Sequence, residues 1–252
     1  MQKKGILIVI LILSALFVFL IFPIIANFNP LYGDPTLEFP VQNPNNVTKL
    51  SGYNHPDWGE PGKLHNGIDL VCRNYTALVA PISGLVIRIT ENKNPYKDFI
   101  MFHVTIMANY FWNVELTFEP NLNTSEGNDL QRSLIFVHLF QIVKTGDVLG
   151  ILLNGSSDYP HLHIMLSNTF FGTFCPYALS SAAAKLTYDA IANRTGETIC
   201  YSGTNPENFT VMFASFGSLT AIICAIVIVV YLVRRRRSKK NKAYGIKYLI
   251  SV

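Results

Sequence analysis

Three of the six histidines in this 252-residue chain fall in two short motifs with the residue types of a metal site. The first motif is His65-Asn66-Gly67-Ile68-Asp69, and the second is His161-Leu162-His163. Imidazole nitrogens and carboxylate oxygens are the ligands that zinc takes in catalytic sites, where three protein ligands leave one position open for water. The two motifs are therefore candidates for one catalytic zinc site.

Local geometry favours the convergence of these side chains. Residues two apart in a strand point to the same side, so His161 and His163 would face one pocket. Gly67 permits a tight backbone turn that would bring His65 and Asp69 onto the same metal. An isolated H-x-H pair is about as often incidental as metal-binding, so the order and the setting of the motifs have to decide between these interpretations.

The order of several further motifs resembles that of the lysostaphin or LytM-type peptidases, a family of zinc endopeptidases. Between the two histidine motifs, the resemblance includes an Ala-Pro-Ile-Ser-Gly-Leu-Val segment, a Val-His-Leu segment and a Val-Lys-Thr-Gly-Asp-Val-Leu-Gly segment. These segments are residues 80–86, 137–139 and 143–150, and the resemblance spans roughly residues 51–167. It implies a compact set of β-sheets around an open groove, related to the duplicated hybrid motif.

The resemblance also implies a role for each candidate site residue. His65, Asp69 and His163 would hold one zinc ion, and His138 and His161 would stand beside it as catalytic histidines. Zinc would lower the pKa of its bound water and polarise the scissile carbonyl, while the two histidines would orient that water and shuttle its proton. The expected activity is that of a zinc metalloendopeptidase acting on peptidoglycan cross-bridges or other cell-envelope peptides.

The elements that must position these residues are predicted to be mainly strands. Short β-favouring runs separated by turn residues predict a mainly antiparallel β domain. One helical segment, about residues 176–192, begins with a proline suited to a first helical turn. Residues 109–133 are predicted to be a long hairpin excursion outside the core. The predicted strands are 77–90, 99–108, 134–140, 148–153 and 161–166.

Two uncharged apolar runs, residues 5–26 and 209–233, predict transmembrane helices on either side of the β domain. Lys3 and Lys4 precede the first run and four arginines follow the second, so the positive-inside rule places both termini in the cytoplasm. A cleavable signal peptide is the alternative for the first run, and the length of the run disfavours it. The expected localisation is the cell membrane, with two spans and an extracytoplasmic catalytic domain. The predicted domains are 1–4 cytoplasmic N-terminus, 5–26 transmembrane anchor, 27–50 stalk, 51–175 peptidase domain, 176–208 helical segment and connector, 209–233 transmembrane helix and 234–252 basic cytoplasmic tail.

Charge and cysteine usage narrow the expected partners. Ten of the 20 Lys and Arg lie in the two ends, whereas all 16 Asp and Glu lie between the apolar runs, so the middle segment carries about −6. Because it has no basic stripe, no nucleic-acid partner is expected.

Cys175 and Cys200 are candidates for a disulfide, Cys72 is expected in the core or in a disulfide, and the sequence leaves the pairing open. Six glycosylation sequons fall in the middle segment and would suit a glycoprotein, at Asn46, Asn74, Asn123, Asn154, Asn193 and Asn208.

Two other functions fit parts of the same pattern. A non-catalytic relative could serve as an envelope-binding module or as an activator of another hydrolase, but such proteins typically lose metal ligands, and this chain keeps all of them. A structural or adhesion protein would need the three zinc ligands but not His138. His103 lies in a strand-like run without a partner pattern and is expected to be structural. The peptidase is therefore the favoured prediction.

Overall fold

Two antiparallel sheets make up most of the described part of the chain, which in this computed structural model comprises residues 33–56, 63–94, 97–155 and 159–202. The elements are β1 (Val47–Ser51), β2 (Ile68–Cys72), β3 (Thr76–Val79), β4 (Gly84–Lys93), β5 (Ile100–Met107), β6 (Trp112–Glu119), α1 (Ser125–Ser133), β7 (Ile142–Val143), β8 (Val148–Leu152), β9 (His161–Asn168), β10 (Gly172–Phe174) and α2 (Ala182–Thr195), with 3-10 turns at Pro44–Asn46 and Pro176–Leu179. The large sheet has the order β1-β2-β9-β6-β5-β4-β7, with β10 beside β9, and the small sheet pairs β3 with β8. The prediction of a mainly antiparallel β domain is confirmed.

The alternation of apolar and polar residues gives the large sheet two different faces. In β9, Leu162 and Ile164 are almost completely buried, whereas His161 and His163 lie on the opposite side of the strand. The buried face continues through β2, and its side chains form one hydrophobic cluster with those of the small sheet. Cys72 in β2 belongs to this core as a free thiol. We call the side that carries the histidines the polar face.

Strand β6 lies at the centre of the large sheet, between β5 and β9. Its sequence alternates apolar and polar residues, and its apolar side chains are buried. The expectation that residues 109–133 lie outside the core is therefore wrong. The end of that segment forms α1, which Thr124 caps by accepting a hydrogen bond from the Gly127 amide at 3.1 Å. A segment predicted as peripheral thus supplies polar side chains to the same face as the histidines.

Residues 33–50 pack against the domain, where a stalk was expected. Leu37 is 1% exposed and Val41 is 3% exposed, so both belong to the core. Strand β1 pairs with β2 along its whole length and so covers one side of the strand that contains Asp69. The predicted stalk, residues 27–50, is therefore wrong over its described part, and residues 27–32 lie outside the described residues.

The predicted strand 134–140 is mostly irregular backbone. Ile135 forms a single isolated bridge with Gly150, and Phe140 adopts a left-handed φ of 66°, which ends extended structure. By contrast, the predicted strands 99–108, 148–153 and 161–166 correspond to β5, β8 and β9, and the run 77–90 is divided between β3 and β4. His138 consequently lies on a connection and not at the end of a strand.

The C-terminal part of the described chain is a helix tied to the domain by a disulfide. The predicted helix 176–192 is divided into a 3-10 turn and α2. Ser181 caps the start of α2, and Gly196 ends it at a φ of 72°, a conformation that glycine adopts without a Cβ clash. Cys175 and Cys200 form the disulfide that the sequence had left open.

The localisation prediction is corrected by the helices of the structure. Among the described residues, no helix is both long enough and apolar enough to cross a membrane. A multi-pass membrane protein with an extracytoplasmic domain, as expected from the sequence, is therefore not supported. The two runs on which that prediction depended, 5–26 and 209–233, and the tail 234–252 lie outside the described residues.

Candidate metal centre

The two histidine motifs meet on neighbouring strands of the large sheet. Asp69 in β2 lies directly opposite His163 in β9. His163 Nδ1 is 2.8 Å from Asp69 Oδ1 and 3.1 Å from His65 Nε2, and His65 Nε2 is 3.2 Å from the same Asp69 oxygen. We call these three residues the metal cluster. In the described ranges, it is the one group of histidine, cysteine and acidic side chains whose ligand atoms are close enough to hold a metal ion.

Backbone contacts fix the orientation of both imidazoles. His65 Nδ1 donates a hydrogen bond to Gly52 O at 2.9 Å, so the Nε2 lone pair of the neutral ring faces the cluster. The next residue, Tyr53, donates its amide to Ile199 O at 2.9 Å, which holds this loop against the disulfide-linked segment. A Cβ at Gly67 would lie 2.5 Å from Cε1 and 2.6 Å from Nε2 of His163. Gly67 is thus needed for the close approach of the His163 ring, and not for a left-handed turn.

Electrostatic coupling within the cluster is strong because His65 and Asp69 are buried. Burial disfavours the charged form of Asp69, but the imidazoles of His65 and His161 and the hydrogen bond from His163 hold the pKa of Asp69 well below its usual range. Burial likewise acts to lower the pKa of His65, and the Asp69 carboxylate outweighs it, so the pKa of His65 is raised. The Asp69 carboxylate is therefore a buried anion that attracts positive charge.

His161 lies beside the metal cluster between two carboxylates. Its Nδ1 donates to Tyr159 O at 2.9 Å, and its Nε2 is 3.4 Å from Glu119 Oε2 and 3.7 Å from Asp69 Oδ2. Burial acts to lower the pKa of His161, but Asp69 and Glu119 raise this pKa to about 10. Asn121 Nδ2 donates to the same Tyr159 oxygen at 2.9 Å. His161 is thus fixed by backbone at one nitrogen and can hold a proton at the other.

The donor set of the metal cluster fits a zinc ion. At zinc–ligand distances of about 2.0–2.1 Å, two ligands of a tetrahedral ion lie about 3.3 Å apart. The three ligand atoms of the cluster are separated by 2.8–3.2 Å, close to that value without a large rearrangement. Two imidazoles and one carboxylate are also ligands that zinc accepts in sites with an open coordination position.

His138 differs from the other four predicted site residues in its exposure. Its side chain is exposed, and its backbone amide donates to Gln141 Oε1 at 3.1 Å. Within the described structure, no hydrogen bond or ion pair joins the His138 side chain to the metal cluster or to His161. Of the five residues predicted for the site, the structure therefore brings four into contact with one another, and in the described residues the fifth, His138, is exposed and shares no hydrogen bond or ion pair with them.

Glu119 is the site residue that the sequence analysis missed. It lies at the end of β6, directly opposite His161 in β9, and is 9% exposed. Glu119 could have been identified from the strict alternation of apolar and polar residues in β6. This alternation places Glu119 on the same face as Thr117, which lies opposite His163.

No family model matches the chain, and no curated protein matches it. Among solved structures, the chain is similar to the catalytic domain of the prophage-encoded M23 protein EnpA from Enterococcus faecalis, in a mutant form. The two are 21% identical, the match covers 60% of this chain and 95% of that one, and the TM-score is 0.36. The catalytic domain of the antimicrobial peptidase lysostaphin from Staphylococcus simulans is 19% identical, over 57% of this chain and 95% of that chain, with a TM-score of 0.36. A zinc containing peptidase from Vibrio cholerae is 16% identical, over 54% of this chain and 37% of its own length, with a TM-score of 0.37. Since these likenesses are weak, we base the function on the side chains of the site.

Proposed function

We propose that this protein is a zinc metalloendopeptidase that uses His65, Asp69 and His163 to hold one zinc ion. The observation that carries the proposal is the convergence of three ligand atoms, separated by 2.8–3.2 Å, beside His161, whose Nε2 lies 3.4 Å from the Glu119 carboxylate. A zinc ion held there would polarise a peptide carbonyl and make hydroxide available near neutral pH. This combination of ligands and proton carrier suits the hydrolysis of an amide bond.

His161 is the group that would handle the proton. Its Nδ1 is committed to Tyr159 O, so its Nε2 is the nitrogen that faces the site. Glu119 favours a proton on that nitrogen because its carboxylate lies 3.4 Å away and is shielded from solvent. A protonated Nε2 can stabilise the oxyanion that develops on the substrate and can donate its proton to the departing amine. His138 enters the proposal as a second catalytic histidine only through the sequence resemblance.

The proposed substrates are peptide cross-bridges of peptidoglycan or other cell-envelope peptides. This part of the proposal is supported by the motif order of the sequence, in which the segments at 80–86 and 143–150 accompany the two histidine motifs. The register of β5, β6 and β9 places a row of side chains on the polar face, and this row supports the proposal that an extended peptide binds along it. We therefore expect an extended peptide to be cleaved near the metal cluster.

The test combines metal analysis with a cleavage assay on the purified full-length chain. We expect one zinc ion per chain, and cleavage of cross-linked wall peptides or of glycine- and alanine-rich peptides that stops when zinc is removed by a chelator and resumes when zinc is returned. If the protein holds zinc but cleaves neither kind of peptide, the peptidase proposal fails.

A non-catalytic binding module is the second candidate. The observation that favours it is the exposure of His138, whose side chain shares no hydrogen bond or ion pair with the other four residues in the described part of the chain. Such a module would retain zinc and bind wall peptides without turnover. Product analysis in the assay above separates the two candidates, because only the peptidase releases new amino termini.

A further inference from the structure

A second cluster of polar side chains lies on the polar face of the large sheet, outside the metal cluster. Glu115 Oε1 is 3.2 Å from His103 Nδ1, and Glu115 Oε2 accepts hydrogen bonds from Arg88 Nη2 and, at 3.1 Å, from Thr105 Oγ1. Arg88 Nε also donates to Thr105 Oγ1 at 3.2 Å. We call Arg88, His103, Thr105 and Glu115 the guanidinium cluster. The proposed hydrolytic chemistry does not use any of these four residues.

A β-bulge in β4 places the Arg88 side chain on the polar face of the sheet. Val86 in β4 is fully buried and pairs with Ile106 on the core side of β5, so Arg88, two residues later, would also face the core in a regular strand. The register shifts by one residue between Val86 and Arg88, and Arg88 therefore lies opposite Thr105 on the other side of the sheet. Bulges that re-aim one side chain are characteristic of functional sites and sheet edges.

The charge that this cluster presents to solvent is positive. The side chain of Arg88 is 53% exposed, whereas that of Glu115 is 11% exposed and lies beneath it. A guanidinium has five N–H donors, and the contacts of Arg88 to Glu115 and Thr105 use two of them. The remaining donors are available on the exposed side, and a planar guanidinium binds carboxylates through two parallel hydrogen bonds.

Thr117 connects the guanidinium cluster with the metal cluster. Thr117 Oγ1 is 2.9 Å from His103 Nδ1, and Thr117 lies directly opposite His163 in β9. His103 Nε2 is buried and has no hydrogen-bond partner in the described structure. His103 was expected to be purely structural, yet it lies on the same face and in the same cross-strand row as a candidate zinc ligand.

The spacing between the two clusters matches a few residues of extended peptide. Neighbouring strands lie about 4.8 Å apart, so the Arg88 guanidinium, which contacts Thr105 in β5 and Glu115 in β6, lies about 10 Å across the strands from the metal cluster between β9 and β2. The row of Glu115 is two residues, about 7 Å, along the strands from the row of His163, which brings the separation to about 12 Å. An extended chain spans about 3.3–3.6 Å per residue, which makes this distance about three residues.

We propose that Arg88, held by Glu115 and Thr105, is a substrate subsite that binds a carboxylate about three residues from the bond cleaved at the metal cluster. This inference rests on the proposed peptidase function. The carboxylate would come from an acidic side chain or from a free chain terminus, which share the chemistry that a guanidinium recognises.

The test measures kcat/KM of the zinc-loaded full-length chain on glycine- and alanine-rich peptides. One peptide carries glutamate three residues before the central bond, a second carries it three residues after, and each has a glutamine counterpart. Shorter peptides that end three residues beyond the bond, as free acid or amide, test the terminal carboxylate. We expect at least one acidic or free-acid peptide to be preferred about tenfold over its neutral counterpart, the scale of a charge-assisted hydrogen bond.

Two variants connect that preference to Arg88. Arg88→Gln should reduce the preference to about onefold, and Arg88→Lys should leave a smaller preference because it keeps the charge but loses the forked donors. Lys93→Gln is the matched control: it removes a positive charge from the same strand, where Lys93 pairs with the exposed Asp98 at 2.8 Å. Lys93→Gln should keep the full preference. Zinc content and thermal unfolding of each variant identify any loss of folding.

Equal rates for acidic and neutral peptides, or a preference that persists in both Arg88 variants, would overturn the subsite. If no peptide is cleaved at all, the peptidase proposal fails separately, and the subsite is then tested by binding. The nuclear magnetic resonance signal of the Arg88 Nε–H group should shift when a glutamate peptide is added and not when its glutamine counterpart is added. An unchanged signal with both peptides would also overturn the subsite.

Discussion

The metal cluster and the guanidinium cluster are two arrangements of histidine and carboxylate on one face of the same sheet, and they differ in the source of positive charge. In the guanidinium cluster, Arg88 supplies a permanent cation to the Glu115 carboxylate. In the metal cluster, no lysine or arginine contacts Asp69, whose recorded partners in the described structure are the imidazoles of His65, His161 and His163. A buried carboxylate surrounded by imidazoles is stabilised by their N–H donors, by their protonated forms or by an added cation.

This difference explains why one cluster is a candidate for zinc and the other is not. A metal ion near Glu115 would have to compete with a guanidinium that already neutralises the carboxylate. A metal ion near Asp69 would replace protons on imidazoles whose ring nitrogens are aimed at the ion position. The sheet thus has one position that attracts a metal cation and another that offers a fixed cation of its own to a ligand.

The largest expected effect is on zinc retention by the metal cluster. His65→Ala or His163→Ala should abolish stoichiometric zinc binding, because two ligands remain where the proposed site has three. His103→Ala removes a histidine of similar burial from the other cluster and should retain one zinc ion per chain. Zinc content is measured after gel filtration of each variant. Full zinc occupancy in His65→Ala or His163→Ala, or loss of zinc in His103→Ala, would contradict the assignment of zinc binding to the metal cluster and not to the guanidinium cluster.

The next effect is on turnover without loss of the metal. His161→Ala should keep zinc and lower kcat by a factor on the order of 10² or more, the usual scale of acid–base catalysis. His138→Ala should likewise keep zinc and lower kcat, because the sequence resemblance gives His138 the role of second catalytic histidine. Steady-state kinetics and zinc content are measured together. Near-normal rates in both variants would leave the proposed mechanism without a proton carrier.

The residues of the metal cluster and His161 were noticed in the sequence because they form two short motifs, and the resemblance in motif order then implied which of them would be ligands. His65 and Asp69 lie four residues apart, and His161 and His163 lie two apart in a strand, so each pair carries its own geometric signal. The guanidinium cluster has no such signal. Its residues Arg88, His103 and Glu115 lie on three different strands. They come into contact because of the strand order and because of a β-bulge, and neither is predicted by the local sequence pattern.

The errors in the fold have equally specific causes. Strand β6 alternates apolar and polar residues over its whole length, but the prediction gave more weight to the loop-like residues that follow it. In residues 134–140, a run of apolar residues favoured a strand, whereas the backbone turns at Phe140. Leu37 and Val41 were assigned to a stalk because prolines and asparagines surround them, and their burial depends on contacts with distant parts of the chain. Long-range contacts overrode the local composition in these cases.

The smallest expected effect is on the pH dependence of stability, and it isolates the guanidinium cluster. Burial acts to raise the pKa of Glu115, but hydrogen bonding and charge from His103 and Arg88 lower this pKa to about 2, below its ordinary value of 4.5. Because the folded pKa is depressed, the contribution is fully present above about pH 5 and is lost as the pH falls toward 2. In zinc-free protein, the free energy of unfolding should therefore fall more between pH 5 and pH 2 in the wild type than in Glu115→Gln. The extra loss in the wild type should be on the order of 2 kcal/mol, a value reduced for solvent screening because Arg88 is half exposed. Glu126→Gln, an exposed substitution on α1, is the control and should follow the wild type. Urea unfolding at pH 2, 3, 4 and 5 measures the difference, and parallel curves for wild type and Glu115→Gln would mean that Arg88 and His103 do not stabilise the ionised carboxylate.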